Sequence, residues 1–258
     1  MGDKLRDRVA IVTGAGTGIG KAIAVAFARE GAHVVGAARR LEKLAETARE
    51  VRQTERQFLA IRCDVSQKED CRNVAQTTLK TLGKIDILVN NASIYPVTPF
   101  LEITPEEWDE VLAINLKGSM LMCQAVLPHM VERKQGKIIM INSSLSRRSP
   151  AIYSQNHYVA AKAGLIGLTR CLAAEFGPMG IQVNGIAPGF TPGTEQADKF
   201  WGPVMTPEYM QKSLSLTPLR RYARPEDFQG IAVLLASDES NYITGQTIAV
   251  DGGTTMVG

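Results

Sequence analysis

Short apolar runs alternate with longer segments of helical periodicity along the chain. Most runs are continuously apolar, which is typical of strands covered on both faces, and they span residues 8–13, 33–37, 57–62, 85–90, 136–142, 181–187 and 247–250. Helical spacing of apolar residues occupies 18–30, 41–54, 67–82, 105–132, 157–177 and 225–237. This alternation indicates βαβ units. It predicts an α/β fold, a doubly wound, Rossmann-like parallel sheet of about seven strands with helices on both faces.

Residues 190–224 follow neither pattern. They combine prolines with large apolar side chains such as Phe200 and Trp201. A disordered insertion would explain the prolines, but disordered segments rarely hold so many large apolar residues. Long loops in compact domains often bind or cover ligands. We therefore expect an irregular loop that acts as a substrate lid.

The composition narrows the class of protein. The 258 residues suit one domain over 1–258, and 45% hydrophobic with 21% charged residues is ordinary for a globular protein. Acidic and basic residues are interleaved and leave a net charge of +3, so no nucleic-acid partner is expected. No apolar stretch approaches the length of a membrane span, and the first residues lack a signal-peptide pattern. We expect a cytoplasmic protein with free thiols, no membrane partner and no metal site.

A glycine-rich turn joins the first predicted strand to the first predicted helix. Glycines let a backbone approach a phosphate closely, and the free N–H groups of a helix N-terminus attract the negative charge. The position between strand and helix gives the turn more weight than a glycine-rich loop has alone. The expected cofactor-binding residues here are Gly14, Thr17, Gly18, Ile19 and Gly20.

The end of the second predicted strand indicates which dinucleotide binds. An acidic residue there would favour NAD, because it can hydrogen-bond the adenine ribose, whereas an arginine can accommodate the 2′-phosphate of NADP. The sequence has no acid at this point, and Arg39 follows the strand, with Arg40 next to it. We expect NADP (NADPH), with NAD as the less favoured alternative. Solvated charges that open a helix would give the same sequence.

Tyr158 and Lys162 are four residues apart on a predicted helix, which places both side chains on one face. A free phenol has a pKa of about 10 and is a poor base near neutral pH. A neighbouring ammonium group favours the phenolate, as does an oxidised nicotinamide. The pair can then exchange a proton with an alcohol or carbonyl oxygen. Taken alone, the spacing fits an exposed helix pair better, and only the motifs around it favour a catalytic role.

The turn spacing T-G-x-x-x-G-x-G, the Asn90-Asn91-Ala92 segment and Tyr158-x-x-x-Lys162 together resemble the short-chain dehydrogenase/reductase family over nearly the whole chain. Ser93 stands where that family usually has glycine. The resemblance implies further cofactor contacts that follow the third, fourth and sixth strands: Asp64, Val65, Asn91, Ala92, Pro188, Gly189 and Thr191, with Thr194 as a second candidate for the last position.

The resemblance also implies the catalytic residues Asn115, Ser144, Tyr158 and Lys162. Ser144 would hydrogen-bond the reacting oxygen, and Asn115 would hold a water that links Lys162 to solvent. The separation of Ser144 from Tyr158 is one residue longer than is commonest in the family, so Ser143 and Ser146 stay open as alternatives. His157 is expected to be structural or to line the substrate site.

These features together predict a single-domain, NADP-dependent oxidoreductase for a secondary alcohol or a ketone. The alternatives are an NAD-dependent alcohol dehydrogenase of the same family, a dinucleotide-binding regulatory protein without turnover, and an isomerase or dehydratase of related fold. Family resemblance implies a homotetramer. The substrate stays open, and the residues expected around it are Ile94, Tyr95, Leu145, Arg147, Arg148, Tyr153 and Trp201. One of the two arginines could meet an anionic substrate group, although a solvated loop pair is the favoured interpretation.

Overall fold

The structure is a computed structural model that describes residues 2–146, 155–201 and 205–256, with Tyr209 described by its backbone alone. Its seven strands form one parallel sheet in the order β3-β2-β1-β4-β5-β6-β7. The strands are β1 Val9–Thr13, β2 His33–Ala38, β3 Phe58–Arg62, β4 Ile87–Asn90, β5 Gly136–Ile141, β6 Ile181–Pro188 and β7 Thr247–Val250. Strand order reverses direction between β1 and β4, as the doubly wound prediction requires.

Helices cover both faces of the sheet. They are α1 Gly18–Arg29, α2 Leu41–Arg52, α3 Lys68–Leu82, α4 Pro105–Leu112, α5 Gly118–Arg133, α6 Asn156–Phe176, α7 Glu195–Trp201, α8 Pro207–Ser215 and α9 Gln229–Ala236. Side chains of α3, α5 and α6 form one buried core against the sheet, and those of α1, α2 and α9 form the other. Most strand residues are buried, which explains their continuous apolar character.

A π-helical segment, Ala113–Lys117, interrupts the helix predicted over 105–132 and joins α4 to α5. Taken together, Pro105–Arg133 is long and apolar enough to cross a membrane by length and composition alone, so the expectation that no stretch approaches that length was wrong. Just over half of its most apolar window, 56%, is buried inside the protein. Such burial is typical of a core helix in a protein of this fold.

The lid segment is more regular than the sequence predicts. Two short helices, α7 and α8, occupy part of residues 190–224, which we expected to be irregular. Trp201, at the end of α7, is 3% exposed and packs against Phe190 with ring centroids 5.3 Å apart. The large apolar side chains therefore fold the segment onto the protein.

Local signals in the sequence agree with several element boundaries. The Thr104 hydroxyl accepts a hydrogen bond from the Glu107 N–H at 3.2 Å and caps α4, with Pro105 at its first position. Gly83 ends α3 in the left-handed conformation with φ of 77°. Buried Asp86 accepts the Val9 N–H at 2.8 Å and pairs with Arg133 at 2.9 Å, so its role is structural.

Candidate active site

A cleft of about 610 Å³ opens at the carboxyl ends of the strands, beside the point where strand order reverses. Ligands of open α/β sheets bind in this crevice. The predicted site residues that line it are Gly14, Thr17, Gly18, Ile19, Arg39, Asp64, Val65, Asn91, Ala92, Ser144, Tyr158, Lys162, Pro188, Gly189 and Thr191. Gly20 and Asn115 lie behind this lining and support it.

The glycine-rich turn packs so closely that side chains on its glycines would meet neighbouring atoms. Gly14 and Gly18 have φ of 66° and 54°, in the left-handed region that favours glycine. A Cβ on Gly20 would lie 2.4 Å from the Gly14 carbonyl oxygen and from the Asn91 amide nitrogen. The turn thus holds backbone N–H groups at the start of α1 next to the cleft, in the arrangement that suits a pyrophosphate.

Replacement of Gly20 by alanine is expected to distort this turn. Because the new methyl group would meet backbone, we expect the free energy of unfolding to fall by about 1–3 kcal/mol, with weaker dinucleotide binding. Thermal unfolding and fluorescence titration with NADPH measure the two effects. Gly230→Ala is the control, since a Cβ there has nothing within 4 Å. Equal stability of the two variants would contradict the role of Gly20.

Asn91 ties the fourth strand to the glycine-rich turn. Its amide donates to the Thr13 carbonyl at 2.9 Å, and the Thr13 hydroxyl accepts the backbone N–H groups of Asn91 and Ala92 at 2.9 and 3.0 Å. Ser93 adopts no positive φ, so a serine fits where glycine is usual. Its buried hydroxyl oxygen has no hydrogen-bond partner among the described residues.

Arg39 and Arg40 border the opposite end of the cleft, after β2. Arg40 makes a two-pronged ion pair with Glu195 of α7. Arg39 makes no hydrogen bond or ion pair with the described part of the chain, so its guanidinium remains available to a ligand. On the neighbouring strand end, Asp64 accepts both the N–H and the hydroxyl of Ser66, which fixes the carboxylate beside the cleft.

Tyr158 and Lys162 lie on one face of α6, as predicted, and both reach the cleft. The Lys162 Nζ is 5.6 Å from the centroid of the Tyr158 ring and donates to the Ile141 carbonyl at 2.7 Å. Burial lowers the pKa of Lys162 to about 7, and burial raises the pKa of Tyr158. Without a ligand, the site therefore holds a protonated phenol beside a lysine that titrates near neutrality.

The buried Lys162 has a cost in stability. Its pKa of about 7 in the fold lies below the ordinary 10.5, so the penalty is full below pH 7 and is lost as pH rises toward 10.5. Lys162→Met should raise the free energy of unfolding by about 1–3 kcal/mol at pH 7 and by less at pH 10. Chemical denaturation at both pH values measures this, with Lys80→Met as an exposed control. A gain independent of pH would contradict the interpretation.

Ser143, rather than the predicted Ser144, interacts with Tyr158. A hydrogen bond from the Ser143 side chain lowers the pKa of Tyr158 and partly offsets the effect of burial. Ser144 lines the cleft and begins a short 3₁₀ turn, with no hydrogen bond to Tyr158 among the described residues. The sequence left Ser143 open as an alternative, because the loop before Tyr158 varies in length. Counting forward from the end of β5, at Ile141, avoids that loop.

The side chain of Asn115 lies in the π-helical segment and holds the loop after β4. Its Oδ1 accepts the Ile94 N–H at 2.9 Å, and its Nδ2 donates to the Ile94 carbonyl at 2.7 Å. Both ends of the amide are thus bound to protein. These contacts support a role for the Asn115 side chain in positioning Ile94. They do not support the expected role, in which this side chain holds a water.

His157 is buried and structural, as one of the two sequence interpretations held. Its Nδ1 accepts the N–H of Tyr158 at 2.9 Å, and its Nε2 lies 2.8 Å from the Glu107 carboxylate. Because Nδ1 is the acceptor, Nε2 carries the proton. The ring therefore caps a free N–H at the start of α6 and anchors the turn that presents Tyr158.

Aromatic side chains surround the Tyr158 hydroxyl end of the cleft. The Tyr95 ring lies 5.6 Å from that of Tyr158 and 6.2 Å from that of Phe200, between centroids. Sequence reasoning missed Gln155, which is 1% exposed and donates to the Tyr95 carbonyl at 3.2 Å. It is the residue immediately before α6, outside the helical pattern that indicated Tyr158 and Lys162. Arg147, Arg148 and Tyr153 lie outside the described residues.

Thr191 follows the β6 end and faces the same cleft. It is 7% exposed, and its hydroxyl donates to the Gly189 carbonyl at 2.9 Å. Thr194 caps α7 by accepting the Ala197 N–H at 3.3 Å. A Cβ on Gly189 would lie 2.8 Å from the Asp251 Cα, which explains glycine at this turn.

Comparison with known proteins places these features in a family. A family model described as enoyl-(acyl carrier protein) reductase matches residues 14–255. The chain is 35% identical over 255 residues to the 3-oxoacyl-[acyl-carrier-protein] reductase FabG of Thermotoga maritima, with 97% of this chain and 98% of the relative covered. The chain belongs to the short-chain dehydrogenase/reductase family. As a member of that family it is an oxidoreductase by descent, in agreement with the resemblance found in its motifs.

Further relatives show how varied this family is. Human dehydrogenase/reductase SDR family member 4 is 37% identical over 253 residues, covering 98% of this chain and 89% of the relative. A crystal structure of a short-chain type dehydrogenase/reductase from Mycobacterium marinum has a TM-score of 0.91 and 36% identity, covering 98% of this chain and 97% of that one. A structure from Beutenbergia cavernae, described as an NAD(P)-dependent gluconate 5-dehydrogenase with NADP at low occupancy, has a TM-score of 0.89 and 37% identity, covering 98% and 99%.

Proposed function

We propose that this protein is an NADP-dependent oxidoreductase that interconverts a secondary alcohol and a ketone by direct hydride transfer. The observation that supports the proposal most is a single cleft that has candidate catalytic side chains at one end and a cationic group at the other. Tyr158, Lys162 and Ser143 cluster at one end, and the guanidinium of Arg39, which has no partner among the described residues, borders the other. A dinucleotide that joins a nicotinamide to a phosphorylated adenosine fits such a division.

The residues of the cleft fit that cofactor. The glycine-rich turn would hold the pyrophosphate, since it brings the start of α1 to the cleft. Asp64 and Val65 would contact the adenine, and Arg39 the 2′-phosphate. Asn91 and Ala92 would border the riboses, with the unsatisfied Ser93 hydroxyl beside them. Pro188, Gly189 and Thr191 would hold the nicotinamide end, with Lys162 on the ribose hydroxyls.

The proton chemistry belongs to Tyr158. When bound, the nicotinamide ring donates or accepts the hydride. Burial keeps the Tyr158 phenol protonated, so it can give its proton to a carbonyl oxygen as that oxygen gains charge during reduction. In the oxidation direction Tyr158 takes the alcohol proton. Lys162 stabilises the phenolate, and the Ser143 hydroxyl donates to the reacting oxygen.

Absorbance of the reduced nicotinamide tests the proposal directly. Purified protein should oxidise NADPH when ketones are added and reduce NADP when the matching alcohols are added. The aromatic surroundings of Tyr158 favour bulky apolar substrates in this panel. Tight NADPH binding without turnover across a broad panel would instead indicate a regulatory dinucleotide-binding protein.

Replacement of Arg39 by aspartate tests the choice of cofactor. The change removes the phosphate ligand and offers a carboxylate to the ribose hydroxyl, so we expect the Kd for NADPH to rise at least about tenfold while that for NADH falls. Fluorescence titration measures both constants. Arg49→Asp, an exposed change on α2 outside the cleft, is the control. An unchanged Kd for NADPH would show that Arg39 is not the phosphate ligand.

The assembly and location follow from the family resemblance. We propose a cytoplasmic homotetramer. Leu101 and Tyr242 are fully exposed at 96% and 104%, and apolar side chains in such positions favour contacts with other subunits. The cysteines are free thiols, three of them buried, which suits a reducing compartment. Light scattering coupled to gel filtration measures the oligomeric state.

A further inference from the structure

An ion pair joins the two sides of the cleft. Arg40 follows β2, on the side of the cleft that would hold the adenosine. Glu195 is the first residue of α7, in the lid segment. The Arg40 Nη1 lies 2.7 Å from the Glu195 Oε1, and Nη2 pairs with Oε2, so the contact is bidentate. The two residues are 155 positions apart in the chain. No sequence motif of the cofactor site includes Glu195.

The surroundings of this pair are basic. Arg39 and Lys43 line the same rim as Arg40. Lys43 pairs with Glu46 at 3.2 Å, while Arg39 has no partner in the described part of the chain. The hydrogen bond from Arg40 holds the pKa of Glu195 below its ordinary value. Glu195 is therefore a fixed negative charge at the rim where a 2′-phosphate would arrive.

The pair can be broken at little cost. Its side chains are 49% and 42% exposed, and exposed ion pairs are weak because water screens them. A phosphate accepts two charge-assisted hydrogen bonds from a guanidinium and carries more charge than a carboxylate. A 2′-phosphate can therefore compete with Glu195 for Arg40. An adenosine without that phosphate leaves the pair intact.

Glu195 also lies where the lid is anchored. The preceding residue, Thr194, caps α7, and its hydroxyl is 3.4 Å from that of Tyr95. The Thr194 methyl carbon lies 3.1 Å from the position of a Cβ on Gly18. The far end of α7 holds Phe200 and Trp201 against the aromatic part of the cleft. One short helix thus connects the adenosine rim to the substrate side.

We propose that Glu195 is a specificity-determining residue that disfavours a 2′-phosphate by holding Arg40, and that a 2′-phosphate which takes Arg40 releases the start of α7. This inference rests on the proposed function, because it places the adenosine 2′-phosphate at Arg39. According to this inference, the lid segment contributes to the preference between NADP and NAD. Binding of NADP then breaks the Arg40–Glu195 ion pair, whereas binding of NAD leaves it intact.

Two nucleotides that lack nicotinamide test the first part of the proposal, that Glu195 disfavours a 2′-phosphate. Calorimetric titration with adenosine 2′,5′-bisphosphate and with adenosine 5′-monophosphate compares the full protein with Glu195→Gln. The variant keeps the size of the side chain and removes its charge. We expect affinity for the bisphosphate to rise about fivefold, with little change for the monophosphate. Glu69→Gln, which breaks an exposed ion pair with Arg72 on α3 outside the cleft, is the matched control and should change neither affinity appreciably.

The outcomes separate this inference from the proposed function. Loss of bisphosphate affinity in Arg39→Asp, together with no gain in Glu195→Gln, would leave the function intact and overturn the role of Glu195. Equal affinity for the two nucleotides in the wild type, followed by a preference for the bisphosphate in Glu195→Gln, would support the role of Glu195 strongly. No preference in any variant would overturn both proposals.

Hydrogen exchange of residues 195–201 tests the second part of the proposal, that a 2′-phosphate releases the start of α7. At saturation, the bisphosphate should increase exchange of the backbone amides in α7 relative to the monophosphate. Ligand-free Glu195→Gln should exchange as fast as the wild type with bisphosphate, since both lack the pair. Equal exchange with the two nucleotides would overturn the release of the lid.

Discussion

Replacement of Tyr158 by phenylalanine is expected to lower kcat by about 10²–10⁴-fold, the usual contribution of a positioned acid or base. The phenyl ring keeps its packing against Tyr95, 5.6 Å away between centroids, so the cleft should keep its shape. The Kd for NADPH should therefore stay nearly unchanged. Stopped-flow measurement of a single turnover separates the chemical step from binding and release.

Tyr95→Phe is the matched control for this prediction. It removes a second hydroxyl from the same cleft, one that lies 3.4 Å from the Thr194 hydroxyl. We expect a loss in kcat of less than about tenfold, because this hydroxyl has no part in proton transfer. Comparable losses in the two variants would show that packing of the aromatic group, and not the acid, limits the reaction.

The second large effect is expected at Ser143. Ser143→Ala should lower kcat by about 10²-fold, the usual cost of removing one donor to a developing negative oxygen. Ser144→Ala should change kcat much less, because the structure gives Ser144 no contact with Tyr158 in the described residues. Steady-state kinetics of the two variants, with the ketone that gives the highest turnover, decides between adjacent serines.

A pH profile adds a readout that distinguishes chemistry from folding. The Ser143 hydrogen bond lowers the pKa of Tyr158, so its loss should raise the pKa that governs the reaction. The acid limb of the oxidation rate should then move to higher pH in Ser143→Ala and stay in place in Ser144→Ala. The reverse pattern would return the catalytic role to Ser144.

The fold could be predicted because its signals are local and repeated. Strands buried on both faces must be continuously apolar, and each crossover helix must follow within a short distance, so the order of elements was readable from the chain. Glycine at positions 14, 18 and 20 is required by backbone geometry, which made the turn identifiable. The placement of Tyr158 and Lys162 on one helix face followed from their spacing, whereas their catalytic role gained weight from the order of Ser144, Asn115 and the glycine-rich turn around them.

Other parts of the site depend on contacts that spacing does not encode. The choice between Ser143 and Ser144 depends on how the backbone turns after β5, and one residue of error exchanges them. Arg40 and Glu195 are 155 positions apart, beyond any sequence pattern. The π-helical segment at Asn115 and the helices α7 and α8 form because of tertiary packing, which overrides local propensity.

The groups that would meet a ligand lie in the loops after the strands or, like Tyr158 and Lys162, on α6, while the central strands behind them are buried. Stability and specificity are thereby separated in space. Mutations in the loops can accumulate without touching the core that keeps the chain folded. The segment from Gly189 to α8 is the clearest case, since its described residues add no strand to the sheet. Divergence of substrate use within this lineage is therefore expected to concentrate there and to spare the strands.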